Sequence, residues 1–347
     1  MHDVVTPPRA VVDPSRRSGL PRVPVVVGAL VLLGLLVVAS LALGSKPLAP
    51  AQVWHALVAP DGGEASTIVR DLRLPRTTLG LAVGAALAVA GVLLQALTRN
   101  PLAEPRILGI SAGASLGVVT AIAAFGVTTL TGYVWFGIIG ALLSGLLVFG
   151  IATRTRDGAS PVTLALVGAA LDASLGAVTI GLLSASAYTF EEYRFWVVGG
   201  LVGRDASIAV QVAPFVLAGL LLAAMVARGL DALALGDDVA RGLGNRVGLI
   251  RIGGGAAAVL LTGAGVAAAG PIAFVGLAVP HLARALVGVD QRWTLAVSVL
   301  LGPSLLLGAD IVGRLITPGE VPAGIITALL GAPLLAVLVR RARVVTA

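Results

Sequence analysis

Runs of roughly twenty consecutive apolar residues, the length that crosses a hydrocarbon core as a helix, recur from one end of this 347-residue chain to the other. They are read at 25–44, 78–98, 107–126, 133–152, 161–184, 206–227, 252–270, 271–289, 294–313 and 322–339. Inside a bilayer each backbone N–H and C=O must find its partner within the protein, so such runs form helices. The spacing therefore predicts an all-α integral membrane protein with about ten transmembrane helices. The boundary at Gly270-Pro271 is drawn because one uninterrupted helix over 252–289 would be about 57 Å long, nearly twice the core thickness. Most connecting segments are short. The expected organisation is one transmembrane domain over 25–341, with an N-terminal tail 1–24 and a C-terminal tail 342–347.

Composition agrees. Hydrophobic residues make up 57% of the chain and charged residues 12%, against about 25% charged in soluble domains. Mean hydropathy is +1.01. The 45 glycines suit close approach of membrane helices. There is no Cys, and His2, His55 and His281 have no metal-ligand spacing, so no metal site is expected. The net charge of +7 does not point to nucleic acid, because the arginines sit in short loops between apolar runs. With both termini cytoplasmic, seventeen of the 24 Lys and Arg fall on inner segments, as the positive-inside rule requires. The outer minority is Lys46, Arg70, Arg73, Arg76, Arg194, Arg204 and Arg314. Ala49-Pro50-Ala51 resembles a signal-peptide cleavage site, but the run before it is longer than an h-region and reads as a retained first helix.

No catalytic constellation stands out, and an enzyme is not expected. The chain has no Gly-Lys dipeptide and hence no P-loop; if ATP drives it, another chain binds the nucleotide. Asp172 falls mid-span, where a carboxylate is costly and should face a wet cavity or a polar partner. A proton-coupling role and a hydrated lining of a path both fit it, and the second needs less. Asp310 lies four residues before Arg314, the spacing of a helical ion pair. Gly84–Gly91 and Gly263–Gly270 share a Gly/Ala pattern and run in opposite directions through the membrane, as inverted repeats or by chance in a Gly/Ala-rich chain.

Three segments look specialised. Arg70-Asp71-Leu72-Arg73-Leu74-Pro75-Arg76 precedes the second run. Leu97 to Pro105 follows it, with prolines at 101 and 105 that break a helix. Gly109, Gly113 and Gly117 then recur at spacing four, a smooth face for helix packing or for a pore wall. The third segment spans 233–244 in the longest cytoplasmic loop. Asp237 and Asp238 near its start and Arg241 toward its end suit the dipole of a short helix, terminated by Gly242 or Gly244. It serves either as a docking element or as a connector.

These segments resemble the FecCD-type permeases. The carrying residues are Arg73-Leu74-Pro75-Arg76, Asn100-Pro101-Leu102-Ala103-Glu104-Pro105, Leu108 to Ala114, Leu235-Gly236 with Leu243-Gly244, Gly276 to His281, Ala309-Asp310-Ile311-Val312 with Arg314, and Leu330-Gly331-Ala332-Pro333. The resemblance covers roughly 25–341. It implies a type II ABC importer permease in the cell membrane, working as a dimer with a copy of itself or a sister permease. The implied cargo is an iron-siderophore, haem or cobalamin. The implied partners are an ATPase dimer, which binds ATP and Mg, and an extracytoplasmic substrate-binding protein; the chain itself would bind no cofactor. By the same resemblance, Arg73, Arg76 and Arg314 dock the binding protein, Asn100, Pro101 and Leu102 belong to the inner gate, and Gly236, Asp237, Asp238, Arg241, Gly242, Leu243 and Gly244 couple to the ATPase. Gly109, Gly113, Gly117 and Asp172 are candidates for lining the path, although the family would have a small or apolar residue at 172. The competing readings are a proton- or sodium-coupled secondary transporter and a membrane subunit without transport activity. Helix breaks flanking one span argue against the latter.

Overall fold

The structure, a computed structural model, describes residues 20–155, 160–317 and 319–333. The expected tail 342–347, most of the tail 1–24 and the end of the run 322–339 lie outside the described residues. Among the described residues every regular element is helical. In chain order these are α1 (Arg22–Ala42), α2 (Pro50–Val58), α3 (Glu64–Thr67), α4 (Leu74–Thr98), α5 (Ile110–Phe125), α6 (Leu130–Arg154), α7 (Pro161–Ala185), α8 (Ala187–Val197), α9 (Ala206–Ala234), α10 (Asp237–Gly242), α11 (Val247–Ala269), α12 (Val275–Val287), α13 (Gln291–Ile316) and α14 (Ala323–Pro333).

Among the described residues seven helices, not ten, are long and apolar enough to cross a membrane. They are α1, the continuous stretch Glu64–Thr98, α6, α7, α9, α11 and α13. The other three apolar runs correspond to shorter helices, α5, α12 and α14. The chain does break after α11: Gly270 takes φ +76 and helix resumes only at Val275.

Two elements differ from expectation. The segment before the second run is itself helical. A π-helical turn over Ile68–Arg73 joins α3 to α4, and Pro75 sits in the first turn of α4. Pro75 lacks the N–H that a continuous helix would use, and the π turn before it carries the helix past that gap, so the segment 70–76 extends the second run as helix. The second is α8, whose Glu191, Glu192 and Arg194 interrupt any apolar run.

Burial separates the centre from the rim. In their most apolar stretches 83% of Glu64–Thr98 and 78% of α11 are buried, against 11% of α7. The two segments that share the Gly/Ala pattern thus form the middle of the bundle. The pattern has a direct packing use in α4. A Cβ on Gly84 would lie 2.6 Å from the Pro303 backbone of α13, and one on Gly91 would lie 1.9 Å from the Gly276 carbonyl oxygen of α12. In lipid there is no hydrophobic gain from bringing helices together, so close van der Waals contact between backbones must hold them.

Gly91→Val should therefore push α4 and α12 apart and lower the apparent melting temperature of the detergent-solubilised protein by at least several degrees. Gly28→Ala on α1, where a Cβ meets nothing within 4 Å, should leave it unchanged. Fluorescence-detected size exclusion after heating compares the two.

Candidate functional site

Charge gathers at the two ends of α4. At its start, Arg73 and Arg76 turn inward and are 6% and 7% exposed. Arg76 donates from Nε and Nη2 to the Asp310 carboxylate at 2.8–3.1 Å, and from Nη1 to Glu320 at 2.7 Å. Asp310 is fully buried and also pairs with Arg314 at 3.1 Å, the i,i+4 contact that the spacing anticipated.

The remaining donors meet a different need. The last carbonyls of α1 have no helical N–H to accept from. Arg73 donates to Leu41 O and Ala42 O at 2.7 and 2.8 Å, and Arg314 donates to Ser40 O and Leu43 O at 2.9 and 3.1 Å. Two guanidinium groups thus close the C-terminal end of α1, where the helix dipole favours positive charge. The resemblance has Arg73, Arg76 and Arg314 meeting acidic residues of a partner. All three do line an open cleft of about 650 Å³, with Lys46, Arg70 and Arg204. In this conformation, however, the three guanidinium groups are held by carboxylates and carbonyls of the same chain, and of their nitrogens only the Arg314 Nε is buried and unpartnered among the described residues. Arg70 is exposed and has no ion pair among the described residues. Burial lowers the Arg204 pKa, and its Nη1 is buried without a partner among the described residues.

The other end of α4 carries the second cluster. Arg99 closes the helix in the left-handed region, with φ +48. Its Nε and Nη2 reach the Leu233 carbonyl at the end of α9, and Nη2 also reaches the Asp237 carboxylate. Arg251, one turn into α11, meets the same carboxylate at 2.9 Å. Asp237 opens α10, the short helix expected there, which follows Gly236 at φ +110 and ends before Gly244 at φ +80. Arg241 and Asp238 pair along it. Leu235, Val239 and Leu243, spaced by four, are all exposed and form an apolar strip. Asn100 and Pro101 are exposed beside this cluster, and the Asn100 side chain accepts the Leu102 N–H at 2.9 Å. The segment 99–102 is thus fastened to α10 through one arginine, a link that no sequence spacing reveals.

Between the ends lies a cavity of about 370 Å³ lined by Glu104, Arg106, Ser111, Ser115, Asp172 and Thr179 among others. Asp172 is half-buried on its wall, with no ion pair among the described residues. Burial raises the Glu104 pKa, opposed by the Phe274 backbone and Arg106. Gly113 and Gly117 face α6 instead. A Cβ on either would lie 2.4 Å from Gly140 O or 2.2 Å from Phe136 O. Gly109, at φ +67, abuts α7 near Gly168 and Asp172.

A helical bundle of this kind, with charge clustered at the two ends of its central helix and a cavity of mixed apolar and polar lining between, defines a polytopic membrane protein. The chain belongs to the FecCD transport family, whose model matches residues 32–341. It is 42% identical over 315 residues to the ferric enterobactin transport system permease protein FepD of Escherichia coli (strain K12), covering 90% of this chain and 94% of that one. It is 41% identical over 282 residues to the cobalamin import system permease protein BtuC of Halobacterium salinarum (strain ATCC 700922 / JCM 11081 / NRC-1), covering 80% and 74%. It superposes on a solved inward-facing conformation of a metal-chelate type ABC transporter with a TM-score of 0.80 at 30% identity, over 92% of this chain and 99% of that one. The protein is accordingly an integral permease subunit of an ABC importer in the cell membrane. An ion-coupled secondary transporter is not favoured.

Removing one member of a buried charge cluster leaves the others unpaired and costs about 3–5 kcal/mol, several times the ~0.6 kcal/mol of an average interhelical hydrogen bond in a membrane. Arg76→Met and Asp310→Asn should each destabilise the solubilised protein strongly. The double variant should lose less than the sum. Thermal unfolding followed by tryptophan fluorescence measures all three.

Proposed function

We propose that the chain carries an iron-siderophore, haem or cobalamin-type metal chelate inward, using ATP and Mg bound by a separate ATPase dimer and cargo delivered by an extracytoplasmic binding protein. It works paired with a second permease, a copy of itself or a sister chain. The carrying observation is the Arg99–Asp237–Arg251 linkage, which joins an exposed helix suited to docking with the segment 99–102 read as the inner gate.

Ten crossings, with both termini cytoplasmic, fit the side-chain pairings. Six of the seven cations assigned to outer segments line one cleft, whereas Arg99, Arg251 and Asp237 meet at the far end of α4. Four helices separate Arg99 from Arg204; α8 is too polar to cross, so placing the two arginines on opposite sides supports α5 as a crossing beside α6 and α7. Arg22 meets Asp290 at 3.3 Å, which pairs the start of α1 with the start of α13; α11 and α13 then both begin on the inner side, which supports α12 as the crossing that brings the chain back after α11. The arginine excess at the α10 end supports that end as cytoplasmic.

At the outer end, Glu320 supports an exchange mechanism for docking. It occupies Arg76 from a partly exposed position, with φ +52, a conformation that costs a non-glycine residue. A carboxylate of the binding protein would replace it. Glu320→Gln should tighten docking several-fold at low salt, and Arg70→Glu should weaken it; surface plasmon resonance with the binding protein reads both, and no change in either counts against docking at this cleft.

The decisive assay uses proteoliposomes holding the full complex and a ferric siderophore. Uptake should require ATP, survive collapse of the proton gradient and persist in Asp172→Asn. Deleting 237–243 should abolish copurification with the ATPase or coupled uptake. Uptake that continues without ATP, follows the gradient and vanishes in Asp172→Asn would overturn the proposal.

A further inference from the structure

The C-terminal half of α6 and the N-terminal half of α11 pack together where Gly255 meets Phe149 and Gly145 meets Val259, and leave a furrow along that contact. It is a groove of about 810 Å³, mostly apolar, with Leu146, Phe149, Ile252 and Leu260 on its walls. Its upper part is cut by small residues: Gly248, where a Cβ would meet nothing within 4 Å, and exposed Ala256. Along α6 it extends from Leu142 to Thr153 and along α11 from Val247 to Leu260. At 1.5 Å per residue these are about 16 and 20 Å, close to one leaflet of a hydrocarbon core about 30 Å thick.

One end of the groove is basic. Arg241, Arg246 and Arg251 line it together with Asn245. Arg241 is engaged by Asp238, and Arg251 gives Nη2 to Asp237. Arg246 is exposed and makes no ion pair among the described residues. The Nε of Arg251 is buried with no hydrogen-bond partner among the described residues. That atom is out of reach of any ligand, so the cation open to one is Arg246, at the mouth of an apolar channel one leaflet deep.

We propose that this groove is a binding site for an anionic phospholipid of the leaflet adjoining α10. One acyl chain lies in the furrow along α6 and α11, and the phosphate accepts from the exposed Arg246, with the positive charge of Arg251 beside it. A partner helix would fill the apolar part but would leave the basic end unmatched. The charge complementarity therefore selects a lipid with a negative headgroup. The acyl chain gains little over bulk lipid by entering the groove, since both surroundings are equally apolar. Preference among lipids must then come from the headgroup. The site touches the same Arg251 that holds Asp237, so its occupant sits beside the base of α10. That this leaflet is the inner one rests on the proposed topology.

The test uses the full-length chain in mild detergent, with phosphatidylglycerol and phosphatidylcholine of identical acyl chains in equal amounts, read by native mass spectrometry. Phosphatidylglycerol should be retained about fivefold over phosphatidylcholine, the factor that one basic side chain at a membrane surface supplies. Arg246→Gln should abolish most of that preference. Gly248→Leu, which fills open space without touching the backbone of a neighbour, should reduce retention of both lipids. Millimolar glycerol phosphate should displace neither. Equal retention of the two lipids by the unaltered chain, unchanged preference in Arg246→Gln, unchanged retention in Gly248→Leu, or displacement by glycerol phosphate alone would overturn the proposal. The measurement involves neither transport nor sidedness, so it stands or falls independently of the import reading.

Discussion

Everything else in this bundle hangs on how closely α4 is held by its neighbours. Lipid offers no solvent to expel, so the helix must be gripped by contact, and glycine backbones at Gly84 and Gly91 allow the grip on α13 and α12. A helix of 25 residues fixed this way is a rigid member about 37 Å long. Its two ends carry the two charge clusters. Arg73 and Arg76 stand at the start and Arg99 just past the finish. The contacts to Asp310 and Glu320 and the contact to Asp237 thus stand at opposite ends of one helix.

The two clusters differ in kind. The one around Asp310 is dry: a fully buried carboxylate is shared by two arginines, and the same arginines satisfy carbonyls at the end of α1. Such a site has a single low-energy arrangement, which suits a fixed corner of the scaffold. Glu320 is its one partly exposed member. The cluster around Asp237 is wetter, and several of its groups are open to solvent. Ion pairs of that kind are individually weak and exchange partners at small cost, which suits an element that moves.

The sequence made the membrane character plain, because ten apolar runs of about twenty residues match the thickness of a hydrocarbon core and exceed what a soluble chain of this length could bury. It was less informative where polarity and helix coincide. Nothing in the segment 70–76 marked the π turn that makes it helical, and α8 was hidden by Glu191, Glu192 and Arg194. Arg314 with Asp310 was legible from a spacing of four, while the Arg76 contact to the same carboxylate joins residues 234 apart and leaves no local trace. Charges near the ends of apolar runs suggest surface, so the burial of Arg73, Arg76 and Arg314 was not visible. The spacing of Gly113 and Gly117 marked a smooth helix face but could not say that α6 lies against it.

The π-helical turn at Ile68–Arg73 governs which way the arginines look. Such a turn accommodates one residue more than an α turn, which offsets what precedes it by about 100° around the axis. With that offset Arg73 and Arg76 lie on the face turned toward α1 and α13, and Arg70 lies outside. Without it the helix would still be continuous and equally apolar, but Arg70 and the residues before it would be rotated by about 100° relative to Arg76. The turn works as a phase adjuster: it lets a segment shaped by exposure to water be spliced onto one shaped by burial, with each keeping its own periodicity.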